Sequence, residues 1–155
     1  MKPMIYALIA GLLGNASALA DDRPTFTIHT GHFVKNDTGL TGPRDLLLLR
    51  NSAEFEKVFG LVTMKFSNAR KMNPVEAKAF GTHAAVAVVT TAKAIITYTK
   101  ATAIVDGDVL RVGYTAETGT PGEAEFASPL ILLVPVGTWK RVEFVEDGQA
   151  VGTAK

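Results

Sequence analysis

"HAAVAVVTT", residues 83–91, followed almost at once by "AIITYTKATAIVDGDVLRVGYTAE", residues 94–117, decides the fold. The first run is short, apolar and rich in β-branched residues, which suits a central strand covered on both faces. The second reads as two long strands around Asp106-Gly107-Asp108. Asp-Gly between apolar runs marks a hairpin, because glycine reaches positive φ at little steric cost. Alternation then puts Leu110, Val112 and Tyr114 on one face, with Arg111 and Gly113 on the other. Beyond the polar loop "ETGTPGEAE" (117–125), "FASPLILLVPVG" (126–137) and "TWKRVEFVED" (138–147) supply the last two strands. Val142 and Phe144 share a face there, and Arg141, Glu143 and Val145 take the other. The chain after Gly148 reads as a frayed tail, within a loose end over 146–155.

Working back toward the N-terminus, "RNSAEFEKVFG" (50–60) carries a helix signature. Asn51 or Ser52 caps it, Glu54 stands three residues after Asn51, and Phe55, Val58 and Phe59 share one face. Gly60 is placed to end it. "NPVEAKAFG" (73–81) repeats the grammar, with Asn73 as cap, Pro74 at the first helical position, Glu76 three residues on and Gly81 as terminator. "LVTMKFSNARKM" (61–72) fits a strand or a further helical turn, and the pattern does not separate them. Asp45–Arg50, with four consecutive leucines, reads as a strand, and Pro24–Val34 as the first strand. Asn36-Asp37-Thr38-Gly39 and Thr41-Gly42-Pro43 supply turns between them. The expected fold is α+β: mainly antiparallel β, a small sandwich or curled sheet, with one or two short helices.

The extreme N-terminus, "MKPMIYALIAGLLGNASALA", has a basic Lys2, an apolar run Met4–Leu13 and the small-x-small pattern Ala18-Leu19-Ala20. This is the grammar of a secretory signal peptide over 1–20. Cleavage after Ala20 leaves 135 of the 155 residues, one domain over 21–155. The expected location is the periplasm or outside the cell, with no stable membrane insertion. There is no cysteine, which removes thiolate catalysis and cysteine-held zinc or iron–sulfur centres. Without Lys2 the chain has 15 basic and 15 acidic residues, a balance that argues against nucleic acid as a partner.

In its order of elements, the stretch from Leu46 to Val145 resembles the C-terminal domain of PrcB-type protease-complex subunits, a family of bacterial exported proteins. The residues that carry the likeness are "NSAEFEKVFG" after an apolar strand, "AAVAVVTT", and the hairpin "YTKATAIVDGDVLRVGYTA". The loop with Gly119 and Pro121-Gly122 and the segment "FASPLILLVPV" complete it. Such domains carry a Thr-Gly-Gly-Tyr-like turn before the first hairpin strand, whereas "TTAKAIITYT" (90–99) has Thr97-Tyr98 and no glycine pair. The resemblance implies a mainly antiparallel β fold and association with an exported protease or another protein. It transfers no catalytic residue.

"TIHTGHF" (27–33) places His29 and His32 three apart, with His83 the only other histidine. On a helix such a pair could chelate a metal. On a strand the two rings point to opposite faces unless Gly31 introduces a bulge. Met64 and Met72 suit core packing better than a copper site. Ser52, Ser67 and Ser128 lack a nucleophile elbow and a histidine–acid pattern. Glu117, Glu123 and Glu125 fall in one loop, not across a cleft as glycosidase carboxylates do. The expected function is therefore a non-enzymatic exported binding module acting on a protein partner, with a protease as the version that the resemblance implies. No catalytic residue and no cofactor is expected. Contact falls to a loop centred on Glu117, Thr120, Pro121 and Glu123, or to a strand edge, with Lys65, Arg70 and Lys71 as a second surface. Two rivals stand beside it: a small metal-binding protein using His29, His32 and His83, and a binder of anionic glycan or lipopolysaccharide through the basic run Lys65–Lys78. Trp139 reads as a core plug rather than a partner anchor.

Overall fold

A computed structural model describes residues 23–62 and 72–155. The signal-peptide reading, Met64, Ser67, Lys65, Arg70 and Lys71, and most of the 61–72 segment lie outside the described residues.

The protein is mainly β. Its strands are β1 (Thr27–His29), β2 (His32–Val34), β3 (Arg44–Leu49), β4 (Phe59–Leu61), β5 (His83–Ala92), β6 (Ile96–Asp106), β7 (Val109–Thr118), β8 (Phe126–Pro135), β9 (Arg141–Glu146) and β10 (Gln149–Ala154). One α-helix, α1 (Ser52–Val58), and a 3-10 turn (Ala77–Gly81) complete the described elements. Two four-stranded sheets form a sandwich, one in the order β1-β8-β5-β3 and the other in the order β10-β9-β7-β6. A two-stranded ribbon, β2-β4, lies with α1 outside the first sheet.

Burial of β5 on both faces explains its composition. Ala84 through Val89 are each 1% exposed or less. Ala84, Val86 and Val88, with Leu130, Leu132 and Val134 of β8, face the second sheet. That sheet answers with Ala103, Leu110, Val112, Tyr114, Val142 and Phe144, and Trp139 joins the same core. Ala85, Ala87 and Val89, with Ile131 and Leu133, face the other way and carry Phe55, Val58 and Phe59. The molecule thus has three layers and two cores that share β5 and β8. The alanines keep the shared layer thin enough to be packed from both sides.

The β6–β7 hairpin turns at Gly107 (φ +61°) as expected. A bulge between Thr99 and Thr102, with Lys100 at φ +52°, twists its outer strand. Among the described residues, all pairings are antiparallel except β7 with β9, which run parallel. The chain leaves β7, crosses to the first sheet as β8, and returns as β9 in the original direction. The loop 119–125 is therefore a crossing between sheets and not a hairpin connection.

Four expectations need correction. Pro24–Val34 is not one strand: Gly31 (φ +85°) breaks it, sending β1 to the first sheet and β2 to the ribbon. A side chain at Gly31 would also come within 2.8 Å of Met72 Sδ, so glycine is required there twice over. Gly60 does not end α1. The helix stops at Val58, and Gly60 sits in β4 with the Phe33 ring of the facing strand lying over it. Residues 73–81 form no α-helix, because Asn73 spends its polar groups on β1 and the residue after it: its amide donates to the Ile28 carbonyl and its backbone N–H to Thr30 Oγ1. Only the 3-10 turn remains, without a side-chain cap. The tail does not fray after Gly148. Gln149–Ala154 pairs with β9 as β10, and Gly152 lets it pass against Leu46 of β3, where a Cβ would lie 2.6 Å from the leucine methyl.

Candidate functional site

The loop crossing from β7 to β8 forms one end of the sandwich, and every residue from Glu117 to Ala127 is exposed. Exposed glycine-rich loops usually need bracing to present a fixed shape. Here the bracing is backbone to backbone: Gly119 N–H donates to the Ile95 carbonyl at 2.9 Å, and Gly122 N–H to the Lys93 carbonyl at 2.6 Å. Both acceptors lie in the turn between β5 and β6, so two loops are tied into one rim. Gly119 is needed for the approach, since a Cβ there would meet the Ile95 oxygen at 3.0 Å.

Two large apolar side chains at this end face solvent, Ile95 at 58% exposure and Phe126 at 40%. Glu117, Glu123 and Glu125 are exposed in the same loop, and Lys93 is exposed in the β5–β6 turn tied to it. The structure thus brings Glu117, Thr120, Pro121 and Glu123 into one rim. Ile95 and Phe126 were not singled out in the sequence, where both read as ordinary strand residues.

Behind the rim, the two sheets are locked by polar side chains. Arg44 of β3 holds Glu146 of β9 through Nη2–Oε1 at 2.6 Å, with side chains 33% and 18% exposed. The Tyr98 hydroxyl lies 2.8 Å from Thr90 Oγ1 and 2.9 Å from the Ser128 carbonyl, bridging the sheets a second time. Its ring meets Tyr114 edge-on at 5.6 Å. Burial pushes both tyrosine pKa values up, and the Glu146 charge adds to the effect. Ser128 is 7% exposed, and its Oγ accepts the Ile96 N–H at 3.0 Å. That hydroxyl is a structural bracket.

The histidines go to separate tasks. His83 pairs with Pro135 on β8, while His29 pairs with Ile131, four residues along the same strand. Among the described residues no three histidine, aspartate or glutamate side chains converge as a metal site would need. His29 donates from Nδ1 to the Asn73 carbonyl at 2.9 Å and accepts at Nε2 from Thr27 at 2.8 Å. His32 accepts the Val75 N–H at Nε2, 3.0 Å away. Its ring stands edge-on to Phe55 at 5.1 Å and near Phe59 at 6.5 Å. A cleft of about 250 Å³ opens there, lined by His32, Phe55, Phe59, Leu61, Val75 and Phe80 among others. Burial holds the His32 pKa below 6.5; a contact with the Gly60 backbone opposes this and the charge of His29 adds to it.

Of the basic run, Lys78 is within the described residues and pairs with Glu76 at 2.6 Å. Trp139 is 4% exposed and donates from Nε1 to the Pro135 carbonyl at 3.1 Å, a core plug. No helix among the described residues is long and apolar enough to cross a membrane. No family model, no curated protein and no solved structure matches the chain.

Proposed function

We propose that this chain is a non-enzymatic, exported protein-binding module whose partner docks on the rim formed by Glu117–Ala127 and Lys93–Ile95. The observation that carries this reading is the pairing of a braced loop with exposed Ile95 and Phe126. A free apolar loop would lose entropy on binding, whereas a rim held by two backbone hydrogen bonds has lost most of it already. Isoleucine and phenylalanine supply the apolar contact, each contributing on the order of half of the about 1.5–3 kcal/mol that burying a fully exposed side chain gives, since about half of each is already covered. The acids of the loop favour a partner whose apolar patch is edged with lysine or arginine. The resemblance to PrcB-type subunits makes an exported protease the first partner to look for.

The test is capture of binding proteins from the exported fraction of the native host, with the tagged chain as bait. One stoichiometric protein should elute with the wild type and fall at least about tenfold with Ile95→Ser/Phe126→Ser, a loss of about 1.4 kcal/mol or more. Circular dichroism should be unchanged and the urea midpoint should fall only modestly, since Ile95 and Phe126 are partly covered in the free protein and neither belongs to the buried core. Undiminished capture by the folded double variant would remove the rim as the site. Stoichiometric zinc or copper in the purified chain, with no protein partner, would replace this reading with the histidine one.

A further inference from the structure

We propose that His32 is an acid-released clasp: on taking up a second proton it frees residues 75–80 from β2 and opens the aromatic cleft, while the sandwich stays folded. Among the described residues, the Val75–His32 hydrogen bond is the polar tie that fastens residues 75–80 to another element. The remaining bonds of this stretch are local, Ala79 N–H to the Glu76 carbonyl, Thr82 N–H to the Ala79 carbonyl and the Glu76–Lys78 pair. At its two ends the segment is anchored independently. Asn73 is stitched to β1 through Ile28 and Thr30, and the Thr82 carbonyl accepts from Val136 N–H. Between those anchors the stretch is otherwise held by the packing of Val75, Ala79 and Phe80 on the outer core, with the Phe80 ring 5.7 Å from Phe55, and no strand has to unpair for it to lift as a flap.

The chemistry of imidazole makes the clasp conditional. In the neutral ring Nε2 holds a lone pair that accepts the Val75 N–H, so the proton is on Nδ1. Protonation converts Nε2 to a donor. Two N–H groups then face each other across 3.0 Å, and the tie becomes a repulsion. The new charge also sits against Phe55 and Phe59, where solvation is poor.

Charged neighbours set the balance. From β1, His29 opposes the charge on His32. From α1, Glu56 lines the cleft, with Lys35 held on the Glu56 carbonyl. Within the flap, Glu76 and Lys78 neutralise one another. Burial is the largest influence and acts against the charge, so opening is the route by which the ring becomes protonated.

Amide exchange of the purified chain at pH 7.5 and pH 5.0, corrected for intrinsic rates, tests this. Peptides covering 75–81 and 32–34 should lose protection on acidification, about tenfold for each unit separating the two pKa values of His32. Peptides from β5 and β8 should not change. His32→Gln keeps an acceptor for the Val75 N–H but does not titrate, and its flap should exchange independently of pH. His29→Gln should retain the wild-type response. A flap indifferent to pH in the wild type would overturn the proposal. So would a response that persists in His32→Gln, one that vanishes in His29→Gln, or loss of protection in β5 to the same extent.

Discussion

Arg44 and Glu146 show how single residues decide which two strands lie together. Both face inward, where leucine or valine would pack equally well, and their 2.6 Å contact joins strands 102 residues apart. A pair about a quarter exposed lies between the surface case, worth under about 1 kcal/mol, and the buried case, where breaking one partner costs about 3–5 kcal/mol. Arg44→Met and Glu146→Leu should each cost about 1–2 kcal/mol, since each strands the other charge. The double variant should recover most of that loss, and a double-mutant cycle of urea midpoints would read the coupling. Strictly additive losses would mean that the pair is incidental. None of this was legible in the sequence, because Arg44 looks like a turn residue and Glu146 like a strand end until the sheets are stacked.

Among the elements, β10 carries the plainest consequence. Removing Gln149–Lys155 would expose the β9 edge, uncover Leu46, and take away Val151 and Ala154, which pack on the inter-sheet core. Truncation after Gly148 should therefore lower the urea midpoint sharply or abolish the cooperative transition. A tail that merely frayed would leave the midpoint unchanged. The sequence hid this strand because its residues are small and polar and its packing depends on Gly152. It showed β5 plainly, since burial on both faces demands an unbroken apolar run. It showed the β6–β7 hairpin for an equally local reason, the glycine at its turn. Asn73-Pro74 misled because its cap grammar is local, while the partners that won, Ile28 and Thr30, lie more than forty residues earlier. The candidate rim was half legible: turn residues marked the loop, but only the fold brings Ile95 alongside it.

At the level of the whole molecule, two cores on opposite faces of one sheet give the outer layer its own pH dependence. The folded-state pKa of His32 is lowered, so its stabilising contribution is present in full above the unfolded value of 6.5. As pH falls from there through the lowered folded value, the unfolded or opened chain binds the proton more readily, and stability declines. The urea midpoint of the wild type should therefore drop across that window relative to His32→Gln, and the two should run parallel above it. The chain also contains one tryptophan, at position 139. It sits in the inter-sheet core, on the far side of β5 and β8 from the aromatic cleft. The protein therefore carries an intrinsic fluorophore that sees one of its two interiors. Its emission would track collapse of the sandwich and stay silent while the outer layer loosens, so light and exchange would report two separate melting events from one unlabelled chain.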